Sequence, residues 1–324
     1  MNDMKSLLIN RLGTRIQCGK NLASYTTFKI GGPAEFFIST ETVDDLVFII
    51  TTVRSLGIPI TILGGGSNIL ISDNGIRGLV IKNATEKIQI VGIKGAYRKG
   101  SSSGSVFVEA ESGVPFNKLV RFTIEEQLSG LEMHLGLPGS VGGAVFMNSK
   151  WTRPPVNVGD RVHQVKVLTH AEGVKIIAGD RLQFRYGSSV FQKTGDIILS
   201  VIFRLSCSDK KILWQKANES ILYRKATQPQ GEKTAGCVFK NISKAEAIAA
   251  HTPEFTTSAG YLIDHAGCKG LVVGDAKISK IHANFIVNTG RAKASDVIQL
   301  MEIMKERVKD KFGVTLQEEI IRYG

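Results

Sequence analysis

The stretch that most restricts the architecture of this chain is Ile62-Leu-Gly-Gly-Gly-Ser-Asn-Ile-Leu70. Gly64, Gly65 and Gly66 stand between apolar residues and run at once into Ser67 and Asn68. A short buried strand, Thr61 to Leu63, is therefore expected to enter a turn that has no side chains. Glycine reaches backbone conformations and approach distances that a Cβ forbids. Successive N–H groups of such a turn can point into one concavity suited to phosphate oxygens, with Ser67 and Asn68 as further donors. Alone, the stretch reads equally well as a glycine-rich turn between strands. It lacks the third glycine of G-x-G-x-x-G and the lysine of a P-loop.

A second constellation, Leu135-Gly-Leu-Pro-Gly-Ser-Val-Gly-Gly-Ala144, repeats the theme. Gly136, Gly139, Gly142 and Gly143 are spaced G-x-x-G-x-x-G-G, with Pro138 between them and Ser140 as the one hydroxyl. By itself this is a tight turn feeding a helix that packs through glycine. Two such loops so close in the chain favour a shared anionic ligand.

Around these loops the pattern alternates helix and strand. Pro33 opens a strand, Ala-Glu-Phe-Phe-Ile38, and Thr42 to Leu56 follows helical spacing with a capping-box pair, Thr42 and Asp45. Strand-like runs cover Leu79 to Lys82, Ile88 to Val91, Val106 to Ala110, Val165 to Thr169, Val174 to Ala178 and Ile197 to Leu205. The serine-rich segment 94–105 reads as a surface loop. Pro115 to Leu128 reads as a helix, and Ser206 to Lys211 as a domain boundary. Beyond it come a helix (Ile212 to Lys225), a small-residue turn leading into a strand with Cys237 at its entrance, and a capped helix (Ser258 to His265). Ser295 to Phe312 is the clearest helix, with Ser295 as its cap and Gly313 as its stop. A last strand, Leu316 to Tyr323, carries Glu318 and Glu319.

A chain of 324 residues holds two or three domains. Its 43% hydrophobic and 22% charged content is that of a globular protein, and no apolar run approaches the ~18 residues a membrane helix needs. The four cysteines form no C-x-x-C and no metal-ligand pairing with the six histidines, so a reduced, cytoplasmic compartment is expected. The net charge of +12 favours anionic partners, but it is dispersed, which argues for a solvated basic surface over a nucleic-acid site.

Seven motifs, in order, carry a family resemblance: Thr27-Phe-Lys-Ile-Gly-Gly32, Leu63-Gly-Gly-Gly-Ser-Asn68, Gly136-Leu-Pro-Gly-Ser-Val-Gly-Gly143, Ala235-Gly-Cys-Val-Phe-Lys-Asn241, Ser258-Ala-Gly-Tyr-Leu-Ile263, His282-Ala-Asn-Phe-Ile-Val-Asn288 and Leu316-Gln-Glu-Glu319. The chain resembles the UDP-N-acetylenolpyruvoylglucosamine reductases (MurB), in the shorter subtype that lacks an extra tyrosine loop. That resemblance implies an α+β protein. An FAD-binding domain of the vanillyl-alcohol-oxidase/PCMH type would occupy 1–206, as subdomains of about 1–80 and 81–206. A smaller α+β substrate-binding domain would occupy 207–324, its last strand returning to the first lobe.

The resemblance also implies that NADPH reduces a non-covalent FAD, which passes hydride to C3 of UDP-N-acetylglucosamine enolpyruvate while an acid protonates C2. The product is UDP-N-acetylmuramate, a peptidoglycan precursor. FAD would be held by Leu63, Gly64, Gly65, Gly66, Ser67 and Asn68, and by Gly136, Pro138, Gly139, Ser140, Gly142 and Gly143. Cys237, where the family usually has serine, and Glu319 would be catalytic. Tyr186, Arg224, Gln228 and Asn241 would face the substrate. His282 is given a structural role. No metal, nucleic acid or membrane insertion is expected, and the enzyme would be a monomer.

Three positions depart from the family pattern. Cys237 replaces serine, Ile242 follows Asn241 where proline is usual, and Gly187 stands where the Tyr-Arg-x-Ser loop carries arginine. The arginine that often follows the glutamate by two is shifted to Arg322. Hydride addition to an enol ether conjugated with a carboxylate builds an enolate, so a lost cation matters. Arg185 or Arg322 is the expected replacement. A degenerate relative that binds FAD or the UDP-sugar without turnover is the alternative Gly187 keeps open; a flavin oxidase of the same fold is another.

Overall fold

The computed structural model describes residues 2–95, 97–98, 101–102 and 104–324. They form two compact units, and neither is continuous in the chain. The first comprises Met1–Ile16, Ile38–Gly65 and Val80–Arg224; the second comprises Gln17–Phe37, Gly66–Leu79 and Lys225–Gly324. The first boundary expected, at Ser206 to Lys211, is therefore replaced by one at Arg224. The cause is the helix Lys210–Thr227, whose Leu213 and Ala217 are buried in the core of the first unit. The chain does not divide at residue 80 either, since Ile38–Gly65 and Val80–Arg224 share that unit.

In the first unit an antiparallel sheet runs in the order Val174–Ala178, Val162–Leu168, Ile197–Cys207, Ser105–Glu111, Ile88–Lys94. Alternation decides its faces: Val106, Val108 and Ala110 point inward from Ser105–Glu111. The helix Phe116–Glu125 lays Phe116, Leu119, Val120 and Ile124 on that face, all fully buried. Burying each such side chain stabilises the fold by about 1.5–3 kcal/mol. The helix Val43–Ser55 begins as expected, with the Asp45 N–H donating to the Thr42 hydroxyl. The segment expected as a surface loop, 94–105, lies partly outside the described residues; within it Tyr97–Arg98 pairs with Ser101–Ser102.

The second unit is built around the helix Ala294–Phe312, whose Val297, Leu300, Met301, Met304 and Val308 are buried against Leu262, Ile263, Phe239 and Phe28. The methionines are core. Ser295 does not cap this helix. The carboxylate of Asp73 accepts the N–H groups of Ala294 (2.7 Å) and Ser295 (3.1 Å), so the helix starts one residue earlier. Gly313 ends it in the left-handed region, φ +66°. The final strand is shorter than expected, Ile321–Tyr323, and pairs in parallel with Ile69–Ile71 just beyond the glycine turn. Its partner is an early segment of the chain, and both strands belong to the second unit, not to the first.

Candidate active site

The two glycine loops meet within the first unit. A Cβ on Gly65 would collide with Cα of Gly139, and one on Gly64 with Oγ of Ser140. These glycines are therefore required by one another, before any ligand is considered. The second loop is then fixed by hydrogen bonds. The Gly136 N–H donates to Asn117 Oδ1 (2.6 Å), Asn117 Nδ2 donates to the Leu137 carbonyl (3.2 Å), and the Phe116 N–H donates to the Gly139 carbonyl (2.9 Å). Gly142 packs on Ser112, where a Cβ would come within 2.9 Å of its Cβ, and gives its N–H to the Ser112 carbonyl (2.8 Å). The Gly143 N–H donates to Ser140 Oγ, which caps the helix Val141–Phe146.

The N–H groups of Gly136, Gly142 and Gly143 are thus committed within the protein. Among the described residues no acceptor takes the N–H of Gly65, Gly139 or Ser140. Side-chain-free backbones in contact, with N–H groups still to be satisfied, fit a diphosphate. Leu63 is buried as the end of the strand Ile60–Leu63.

Two residues near these loops escaped the sequence reading. Lys82 interrupts the apolar run Leu79-Val-Ile and donates from Nζ to the Gly64 carbonyl. His134 is fully buried, neither ring nitrogen has a hydrogen-bond partner among the described residues, and its ring stands edge-on to Phe116. Burial, with the nearby Arg224 charge, pushes His134 down to about 4, so it is neutral. The signal for Lys82 was a charge inside a strand-like run. For His134 there was none.

Of the residues expected beside the substrate, Tyr186 and Arg224 belong to the first unit and Gln228 and Asn241 to the second. Tyr186 is exposed, and the Lys150 ammonium lies 5.4 Å from its ring centre. The Arg224 guanidinium lies 5.0 Å from the Trp151 ring centre, and its stem packs on Gly136. Asn241 Oδ1 accepts the Ala259 N–H at 3.1 Å, which supports the helix Ala259–His265 that Ser258 caps. Gln228 offers its carbonyl to Gln230.

The two catalytic candidates lie on neighbouring backbone segments. The segment 237–239 is flanked by two others: Cys237 bridges Phe285, and Phe239 bridges Glu318. The Glu319 N–H donates to the Val238 carbonyl (2.8 Å), and Asn284 clamps Phe239 from both sides of its side-chain amide. No continuous strand forms over Thr234–Asn241, because single bridges replace a ladder. The glycine turn joins this set: Asn68 Nδ2 donates to the Glu319 carbonyl (3.1 Å), and the Ile321 N–H donates to the Asn68 carbonyl (3.0 Å). One hydrogen of the Asn68 amide, expected as a ligand donor, is thus engaged by Glu319. Thr27 ties Gly66 to Thr234 through its N–H and hydroxyl.

Adjacent carboxylates here are tuned in opposite directions. Burial raises the Glu319 carboxyl to about 7, an effect only partly offset by Lys240. Burial also pushes Glu318 upward, but hydrogen bonds from Lys305 and Arg322 outweigh it and hold that carboxyl below its ordinary range. Glu319 can carry a proton at neutral pH, whereas Glu318 is an ion-pair anchor. Arg322 is held by Glu318, with Glu302 at 3.6 Å, and so is not a free cation for an enolate. His282 accepts the Asn284 N–H at Nδ1 (3.2 Å), in keeping with a structural role. None of the four cysteines is in a disulfide, and no cluster of metal-ligating residues occurs among the described residues.

Comparison with known proteins decides the family. An FAD binding domain family model matches residues 34–178, and one for the UDP-N-acetylenolpyruvoylglucosamine reductase C-terminal domain matches 228–323. The UDP-N-acetylenolpyruvoylglucosamine reductase of Desulforamulus reducens is 36% identical over 307 residues, covering 94% of this chain and 92% of its own. The chain belongs to the UDP-N-acetylenolpyruvoylglucosamine reductase family. The reductase of Chlamydia pneumoniae is 37% identical over 300 residues, covering 92% and 89% of the two chains. The crystal structure of the family member from Thermus caldophilus superposes with a TM-score of 0.72 at 32% identity, over 95% of this chain and 98% of that one. The family assignment carries with it an FAD-binding fold and an α+β architecture.

Proposed function

We propose that the chain reduces UDP-N-acetylglucosamine enolpyruvate to UDP-N-acetylmuramate with NADPH, through non-covalent FAD. The observation that carries the reading is the hydrogen-bonded set of Asn68, Val238 and Glu319 within the second unit, which sets a thiol-bearing turn beside the segment of a carboxyl raised to about 7. The contact of Gly64 and Gly65 with Gly139 and Ser140 supports placing the FAD diphosphate at Gly65, Gly139 and Ser140. When bound, FAD accepts hydride from NADPH and delivers it to the enolpyruvyl methylene carbon.

Cys237 supplies the proton to the adjoining carbon, and its thiolate is reprotonated from solvent. A thiol with an ordinary pKa of about 8.5 is mostly protonated at pH 7 and suits that task. Glu319, protonated through part of the population near neutrality, donates a hydrogen bond to the forming enolate oxygen. Tyr186, Arg224, Gln228 and Asn241 contact the substrate. The protein works in the cytoplasm as a monomer. No helix of the described residues is long and apolar enough to cross a membrane.

Anaerobic mixing tests the reading. NADPH should bleach the yellow protein, and the enolpyruvyl substrate should restore the colour with one equivalent of product. A protein that stays yellow with NADPH, or stays bleached with substrate, contradicts it. The second outcome is that of a degenerate relative.

A further inference from the structure

Lys82 is a feature of the first unit that the reaction scheme leaves unused. It lies on the strand Ile76–Asn83, whose neighbours Leu79, Val80 and Ile81 are fully buried. Among the described residues no carboxylate pairs with it, and burial lowers its pKa with no acid to oppose the effect. A part-buried cation without a counter-ion is disfavoured unless something else meets its charge. Its single hydrogen bond runs to the Gly64 carbonyl, inside the glycine turn. In a trans peptide the carbonyl of one residue and the N–H of the next point in opposite directions. Holding the Gly64 carbonyl on Lys82 therefore aims the Gly65 N–H away from the strand. That N–H has no acceptor among the described residues, and Gly65 is exposed.

We propose that Lys82 is a positioning residue of the FAD site: its ammonium fixes the Gly64–Gly65 peptide so that the Gly65 N–H faces the cofactor diphosphate, and its charge is met by that diphosphate. This rests on the assignment of the glycine loops to FAD. It gives Lys82 two separable contributions, a donor to the Gly64 carbonyl and a charge beneath the phosphates. Lys82→Gln keeps a donor without charge, Lys82→Arg keeps both, and Lys82→Met keeps neither.

The test is FAD titration of the apoprotein by quenching of flavin fluorescence at several salt concentrations, with the 31P shift of the bound diphosphate and the apoprotein melting temperature as companion readouts. Lys82→Met should weaken FAD by about ten- to a hundredfold, the range for a lost hydrogen bond to a charged group. Both Lys82→Met and Lys82→Gln should flatten the dependence of log Kd on log salt and move the 31P signal, while Lys82→Arg stays near the parent. Lys82→Gln serves if Lys82→Met fails to fold. Parent-like affinity, salt slope and 31P shift in Lys82→Gln would overturn the proposal while leaving the FAD assignment intact. A parent protein that binds no FAD would overturn both.

Discussion

The backbone N–H of Glu319 donates to the carbonyl of Val238 at 2.8 Å, which sets the segment carrying the Glu319 carboxyl in register with the turn that bears Cys237. The contact joins positions more than two-thirds of the way along the chain, and Asn68 adds a third strand of connection from the glycine turn. A proton-bearing carboxyl and a thiol are thereby held on neighbouring backbone segments.

The first prediction concerns pH and Glu319. A carboxyl at about 7 in the folded protein, against 4.5 ordinarily, keeps its proton between those values while the unfolded chain loses it. Stability therefore falls as pH rises across that window, by up to roughly 3 kcal/mol. Urea unfolding of Glu319→Gln at about pH 5 and about pH 8 should show a smaller pH-dependent loss than the parent. An identical loss in both proteins means that the carboxyl is not raised.

Gly65 is predicted to be intolerant for a reason internal to the protein. Any Cβ there meets the Gly139 backbone, so Gly65→Val should destabilise the apoprotein by about 1–3 kcal/mol or more as well as release FAD. A Cβ on Gly143 has its nearest neighbour, Ser140 Oγ, at 3.6 Å, and Gly143 lies in the helix Val141–Phe146, so Gly143→Ala should not lower the apoprotein melting temperature. Calorimetry of the two apoproteins checks this. A Gly65→Val apoprotein as stable as the parent would mean that the loops are not in contact.

The third prediction separates the two arginines. Arg322 is engaged by Glu318 and Glu302, so Arg322→Ala should cost about 1 kcal/mol or less of stability and leave the substrate half-reaction unchanged. Arg185 is exposed beside Gly187, and Arg185→Ala should slow flavin reoxidation by substrate. A slow Arg322→Ala enzyme with a normal Arg185→Ala would reverse the assignment. A large gain from Gly187→Arg alone would favour an enzyme impaired by the missing cation.

Much of this was legible locally. The Thr42 cap, the buried face of Phe116–Glu125, the methionine core of Ala294–Phe312 and the Gly313 stop each depend on residues within a turn or two. What the sequence hid is long-range. Asp73 caps a helix 221 residues away, and Leu213 and Ala217 carry a helix past the polar patch that looked like a boundary. The site divides the same way. Both glycine loops were visible as motifs, but not that Gly65 is demanded by Gly139, nor that the Asn68 amide donates to the Glu319 carbonyl. Arg322 looked free in sequence because its partner Glu318 reads as one more charge on a strand.

Cys237 as the proton donor is the central assignment, and rapid anaerobic mixing of pre-reduced protein with enolpyruvyl substrate measures it. Cys237→Ser should sustain reoxidation with an altered pH profile. Cys237→Ala should be bleached by NADPH at the parent rate but reoxidise at least ~10²-fold more slowly, as expected for loss of a general acid. Reoxidation of the alanine variant at the parent rate would contradict the assignment and return Cys237 to the role of a small thiol in a turn.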